Sequence, residues 1–240
     1  MINIQNLSVS FADKKVLDNL SIDFLPQQVY GIVGLNGAGK TTFFNTLSTN
    51  LKPDEGYIHI NGQVMTYHDI AYLETTNFFY SKLTGREYLN VFKQTNADFN
   101  LDLLQSYLQL PLDELIETYS TGMKKKIALL GILKQDKSVF LFDEPVNGLD
   151  LETNKIVELM ITALKEKGKT VFLSSHIIEP LFAVCDFIHV LDKGKFTQSF
   201  DKADFYKIED ALFKTMKMDA KVVIAKAMWI FLLNFEAYIF

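Results

Sequence analysis

Gly34-Leu35-Asn36-Gly37-Ala38-Gly39-Lys40-Thr41 stands between two apolar runs, Val29-Tyr30-Gly31-Ile32-Val33 before it and Thr42-Phe43-Phe44-Asn45-Thr46-Leu47 after it. The first run reads as a strand and the second as a helix. The octapeptide fits the pattern G-x-x-x-x-G-K-[ST] at every fixed position. The strand–loop–helix setting turns that match into a physical expectation. Glycines let the backbone wrap a phosphate chain with its N–H groups turned inward. The helix that opens here aims the positive end of its dipole at the same anion. Lys40 supplies a point charge for the β- and γ-phosphates, and the Thr41 hydroxyl can ligate Mg²⁺. Gly34, Leu35, Asn36, Gly37, Ala38, Gly39, Lys40, Thr41 and Thr42 are therefore the expected phosphate-binding residues.

The rest of the chain narrows the class. Its 240 residues suffice for one large domain, with room for a small subdomain. Hydrophobic residues make up 48% and charged residues 22%, an ordinary globular balance. A net charge of −5 gives no reason to expect nucleic acid as a partner. The single cysteine, Cys185, allows no intramolecular disulfide and sits among apolar neighbours, as core filler does. The first residues lack a basic start and an apolar stretch, so no signal peptide is expected. The apolar C-terminal run, Val222–Phe240, is interrupted by Lys226, Asn234 and Glu236, so no membrane span is expected either.

Alternation of period two in Ile2–Val9 and Tyr57–Ile60 predicts strands, with Pro53-Asp54-Glu55-Gly56 and Asn61-Gly62 as turns. From Lys82 to Leu115, apolar residues at helical spacing predict a helical insert. The continuous runs Val139–Phe142 and Thr170–Leu173 predict parallel strands covered on both faces, joined by a helix over Ile156–Lys165 that ends near Gly168. The first of these strands ends in Asp143-Glu144. Asp143 at a strand tip suits Mg²⁺, and Glu144 can polarise an attacking water. Ser120-Thr121-Gly122 opens a further helix, offering either a second anion site or an ordinary cap by Ser120 or Thr121.

Taken in order, these features resemble the ATP-binding cassette family over roughly residues 1 to 200. Tyr119-Ser120-Thr121-Gly122-Met123 is similar to its signature, normally Leu-Ser-Gly-Gly-Gln, and keeps Ser120 and Gly122. Asn147-Gly148-Leu149-Asp150 resembles the family's D-loop, Ser174-Ser175-His176 its switch-histidine loop, and Phe11 its adenine-stacking aromatic. His59, His68 and His189 have no such setting and are read as structural.

The resemblance implies an α/β fold. Its core is a RecA-like P-loop NTPase with a mainly parallel sheet, joined by an N-terminal antiparallel β-subdomain and a helical signature-bearing subdomain. The expected boundaries are an ATPase domain over 1–205, a helical insert over about 77–133, and a C-terminal helical extension over 206–240. The resemblance also implies Mg²⁺ and ATP held by Thr41 and Asp143, with Glu144 and His176 catalytic. Ser120 and Gly122 would act across a nucleotide sandwich with a second cassette, identical or related, and Asp150 is counted among the nucleotide-binding residues. A separate transmembrane permease is the implied partner, at the inner face of the membrane, and the motif wording is similar to exporters of drugs, antibiotics or peptides. A non-transport mechanochemical ATPase acting on nucleic acid or ribosomes is the alternative. Where the family places a metal-facing glutamine, this chain has Glu74 and Thr75. Counting favours Thr75 for that position, whereas ligand chemistry favours Glu74.

Overall fold

Alternating residues in the first quarter of the chain build a sheet of their own. In the computed structural model, which describes residues 1–93, 99–146 and 149–213, β1 (Ile2–Phe11) turns at Ala12-Asp13 into β2 (Lys14–Phe24), and the two pair antiparallel. The next elements are β3 (Val29–Val33), α1 (Lys40–Leu47), β4 (Glu55–Ile60) and β5 (Gln63–Val64). β4 pairs antiparallel with the free edge of β1, with Ile4 opposite Ile58. Asn61 and Gly62 both have positive φ (51° and 82°), the geometry an Asn-Gly hairpin turn needs, and they bring β5 onto β4. The small sheet has the order β2-β1-β4-β5.

β3 leaves this layer and enters the second sheet. Next along the chain are β6 (Ile70–Leu73), α2 (Gly85–Val91), α3 (Leu101–Leu108), α4 (Thr121–Leu133) and β7 (Val139–Asp143). After them come α5 (Leu151–Glu166), β8 (Thr170–Ser175), α6 (Glu179–Val184), β9 (Phe187–Asp192) and β10 (Lys195–Asp201). The order in the second sheet is β10-β9-β3-β8-β7-β6; β9, β3, β8, β7 and β6 run parallel, and β10 closes one edge antiparallel. β3, β7 and β8 are buried along their whole length. Their near-continuous apolar runs are what a parallel strand covered on both faces requires.

One face of the parallel sheet is covered by the small sheet and α1. There Phe24 meets Tyr30 and Phe172 edge-on with ring centroids 4.8 Å apart, and Phe43 and Phe44 of α1 are fully buried beside them. The opposite face is covered by α4, α5 and α6 through Leu129, Val157, Ile161 and Leu181. Truncating one of the buried aromatic rings to alanine would cost about 3–5 kcal/mol.

The helical insert closes on itself through an antiparallel bridge between Thr84 and Leu115. A reciprocal cap, Thr84 with Glu87, starts α2, and Asn100 caps α3. α4 belongs to two cores at once. Ile127 and Leu130 pack within the insert, whereas Ala128, Leu129 and Ile132 pack on the parallel sheet. The helix carrying the signature is thus fastened to the strands carrying the acids.

The expected boundary after residue 205 lies within packed structure. It falls inside a 3₁₀ turn, Lys202–Lys207, and Ile208 is completely buried in the main core together with Phe205. The core continues past the boundary because the sequence 205–212 keeps supplying apolar side chains to α6 and β9. The helical reading of Ala220–Phe240 lies outside the described residues. Among the described residues, no helix is long and apolar enough to cross a membrane.

Candidate active site

The loop between β3 and α1 uses its glycines for different purposes. A Cβ on Gly34 would lie 2.3 Å from the Leu191 carbonyl oxygen, so this position is glycine because β9 passes too close. Gly37 and Gly39 have φ of +83° and +109°, a region that side chains strain to occupy. Beside Gly37 there is only open space within 4 Å, whereas Gly39 abuts Val16 and Leu17 of the β1–β2 hairpin. Leu35, Asn36 and Gly37 form an exposed crest, while Ala38, Gly39 and Lys40 are buried under it. Gly39 precedes α1, so the first N–H groups of this eight-residue helix open onto the loop. Thr42 sits half-buried in the first turn.

The Lys40 ammonium donates to the Gly34 carbonyl oxygen at 2.7 Å and reaches back across the loop. Burial pulls its pKa down, and the carboxylates of Glu144 and Asp143 pull it partly back up. A buried cation beneath exposed backbone N–H groups is the arrangement that holds a phosphate chain.

Asp143 ends β7 at 1% exposure and gathers three hydroxyls. Oδ2 accepts from Thr41 Oγ1 (3.2 Å) and Thr75 Oγ1 (2.8 Å), and Oδ1 accepts from Ser174 Oγ. Carboxylate, Thr41 and Thr75 together form an oxygen-only donor set, which suits a hard divalent cation. Of the two residues offered for the metal-facing position, Thr75 makes this contact. β6 ends at Leu73, and Glu74 lines a separate surface cleft with Asn77, Phe78, Tyr88 and Phe92, while Thr75 meets Asp143.

One residue on, the backbone of Glu144 turns into the left-handed region (φ 51°). For a residue with a side chain this costs about 1–3 kcal/mol unless its surroundings hold it. The Glu144 N–H donates to Ser174 Oγ at 2.9 Å, which pins the turn. The Glu144 carboxylate, with its side chain 13% exposed, then hydrogen-bonds His176 Nδ1 at 2.8 Å. Ser174 is the residue whose role the motifs did not disclose. It was legible as part of the loop before His176, but its hydroxyl joins the tips of β7 and β8 and touches both acids.

Ser120 caps α4, its Oγ accepting from the Met123 N–H at 3.2 Å, and leaves its hydroxyl proton free to donate. The helix begins at Thr121, directly after this cap. Gly122 is half-buried, and a Cβ there would make only ordinary contacts, with Asp150 Oδ2 at 3.8 Å and Ser120 Oγ at 4.0 Å. Asp150 caps α5, accepting from the Thr153 N–H (2.8 Å) and hydroxyl (3.1 Å), and these bonds hold its carboxyl below the usual range. Asn147 and Gly148, read as part of the same loop, lie outside the described residues. Lys125, one turn into α4, is a second buried cation in the field of the acids. Burial pushes its pKa down to about 8, against the pull of Asp143 and Glu144. Phe11 ends β1 and is 52% exposed. His189 and Cys185 are both buried, away from this cluster.

A model of the ABC transporter family matches residues 17–147. An uncharacterized ABC transporter ATP-binding protein of Methanocaldococcus jannaschii is 31% identical over 216 residues, covering 87% of this chain and 78% of the relative. The bacitracin transport ATP-binding protein of Bacillus licheniformis is 30% identical over 209 residues, covering 81% and 68%. Among solved structures, a dimeric ATP-binding cassette in a post-hydrolysis state, bound to ADP and Pi, superposes with a TM-score of 0.74. That match has 20% identity and covers 84% of this chain and 99% of the cassette, so it bears on the fold alone.

Proposed function

We infer, because this chain belongs to the ABC transporter family and is one of its ATP-binding, ATP-hydrolysing subunits, that it drives an exporter. The reading is a nucleotide-sandwich dimer docked on a separate permease at the cytoplasmic face of the membrane. The observation that carries the hydrolytic part is the hydrogen bond between Glu144 and His176 (2.8 Å) beside the hydroxyl-lined Asp143 carboxylate. Export, and a cargo of antibiotic or peptide character, draws support from the similarity to bacitracin transport proteins. Dimerisation draws support from a fold shared with a dimeric cassette.

On this reading, the backbone from Leu35 to Thr42 and the Lys40 ammonium hold the phosphates, and Phe11 stacks on the base. Thr41, Asp143 and Thr75 supply oxygens for Mg²⁺, which would neutralise charge on the β- and γ-phosphates. Glu144 accepts the proton of the attacking water, and His176, on the other side of the carboxylate, braces the γ-phosphate. Ser120 and Gly122 present the N-terminus of α4 to the nucleotide held by the partner cassette, with Asp150 beside them. Closure of the two cassettes is then favoured only while the γ-phosphate is present, so hydrolysis reopens them.

The test is purification from detergent-solubilised membranes. A multi-span membrane protein should accompany the chain in fixed ratio, and cells lacking the pair should accumulate the cargo. Recovery of the chain with ribosomes or nucleic acid, and with no membrane protein, would reject the transport reading.

A further inference from the structure

We propose, on the reading above that Asp143 and Glu144 face the nucleotide, that Lys125 is a positioning residue of the site. Its buried ammonium is the fixed counter-charge to the two acids and offsets their joint negative field where a polyphosphate binds. Of the run Lys124-Lys125-Lys126, only Lys125 is buried, at 6% exposure. Helical spacing sets it with Ala128, Leu129 and Ile132, at i+3, i+4 and i+7, on the face of α4 that packs on the parallel sheet. That face rests on β6, and its cluster includes Leu73, the last residue of β6, and Phe142, the neighbour of Asp143. Lys125 thus continues an apolar stripe by one turn with a charge. Lys126 lies off the stripe, half-buried and in the field of Asp150.

A methionine at this position would extend the stripe with no charge to desolvate. A buried ammonium is costly unless charges of opposite sign answer it. The charges that answer Lys125 are those of Asp143 and Glu144, acting through space: burial lowers its pKa and the two acids raise it, leaving it at about 8 and mainly protonated at neutral pH. The other cations beside the acids are committed elsewhere. Lys40 donates to the Gly34 carbonyl oxygen at 2.7 Å and is the residue that turns to the phosphates, and His176 meets Glu144 through Nδ1 from an exposed loop. Lys125 differs in being held by its helix, which Ile127 and Leu130 fasten to the insert and Leu129 and Ile132 to the sheet.

The consequence falls on nucleotide binding. Asp143 is 1% exposed and the Glu144 side chain 13% exposed, so water screens their field poorly and the field opposes an incoming polyphosphate. A fixed ammonium offsets that opposition. A divalent cation at Asp143 would offset it as well, so the charge on Lys125 matters most when no divalent cation is present.

Fluorescent-ATP titration of the full chain, once with Mg²⁺ and once with EDTA, tests this. Lys125→Met and Lys125→Gln both remove the charge, one leaving an apolar side chain and the other a polar one. Each should weaken ATP binding ~10-fold in EDTA, the scale of one unit charge at an effective dielectric near 20. With Mg²⁺ the loss should shrink to less than about 3-fold, and the circular dichroism should match the wild type's. Wild-type affinity of both variants in EDTA would overturn the proposal. So would a loss of equal size with and without Mg²⁺, or a loss in one variant alone, since packing and not charge produces either result. Lys40→Ala separates this outcome from a failure of the site itself. Unchanged ATP affinity in Lys40→Ala would remove the phosphate site on which the role of Lys125 depends, whereas a loss there with none at Lys125 would overturn the counter-charge alone.

Discussion

Ser174→Ala is the most informative small change in this molecule. The hydroxyl is completely buried, donates to Asp143 Oδ1, and accepts from the Glu144 N–H at 2.9 Å. Replacing it with a methyl group leaves a charged acceptor and an amide donor without that partner, in a place water does not reach. A hydrogen bond to a charged group contributes about 1.5–3 kcal/mol and a neutral one about 0.5–1.5. The expected loss is therefore about 2–4 kcal/mol, a large fraction of the 5–15 kcal/mol typical of a domain. The left-handed backbone at Glu144 also loses the bond that pins it, so ATPase activity should fall at least ~10-fold, as expected when a catalytic carboxylate is misplaced. Urea unfolding without nucleotide measures the first effect as a lower midpoint at unchanged slope. Ser175→Ala is the comparison, because that hydroxyl bonds Ile177 within its own loop (2.6 and 3.0 Å) and touches neither acid. A Ser174→Ala protein with the wild-type midpoint and full activity would refute the view that this hydroxyl holds the two acids in place.

Thr75→Ala should weaken Mg-ATP binding by about 1 kcal/mol, ~5-fold, because the bond to Asp143 is only partly buried and Thr75 itself is exposed, so water replaces part of it. Glu74→Ala should leave nucleotide affinity unchanged, and fluorescent-ATP titration distinguishes the two outcomes. Phe11→Ala should weaken ATP binding by about 1 kcal/mol through loss of one stacking face; an unchanged affinity would make Phe11 merely the end of a strand. His189 is buried among Phe24, Tyr30 and Phe196, and burial alone pushes its pKa down to about 4. Its folded value lies below its ordinary 6.5, so the neutral ring's stabilisation is complete above about pH 6.5 and is lost as pH falls toward 4, in all ~3 kcal/mol. His189→Phe should flatten the stability curve between those pH values, and an unchanged curve would show that His189 is not the group responsible.

The phosphate loop was legible in the sequence because its determinants are local. Two positive-φ glycines, a lysine and a threonine lie within eight residues of one another and between two apolar runs. The strands β3, β7 and β8 were legible for a related reason: burial on both faces leaves an unbroken apolar run. β2 was not read, because Asp18 and Asn19 interrupt its alternation where Asn19 adopts a positive φ of 51° at a register shift. The Glu74–Thr75 question needed a distance, since both residues sit past the end of β6 and spacing cannot say which side chain turns toward Asp143. Ser174 joins Asp143 from 31 residues away, a tertiary contact with no local signature. Phe205 enters the core from a 3₁₀ turn and Ile208 from the residue that follows it, a short irregular step that carries no periodic signal.

The most direct test of hydrolysis at Glu144 compares wild type and Glu144→Gln under saturating Mg-ATP, with phosphate release and particle mass measured on the same samples. The substitution keeps the side chain's shape and removes its capacity to accept a proton, while Lys40, Thr41 and Asp143 are untouched. The account predicts phosphate release slower by about 10²–10⁴-fold, the usual contribution of a general base, together with a dimer that persists as long as ATP remains. Phosphate release at the wild-type rate would contradict it, and so would a protein that binds Mg-ATP yet stays monomeric.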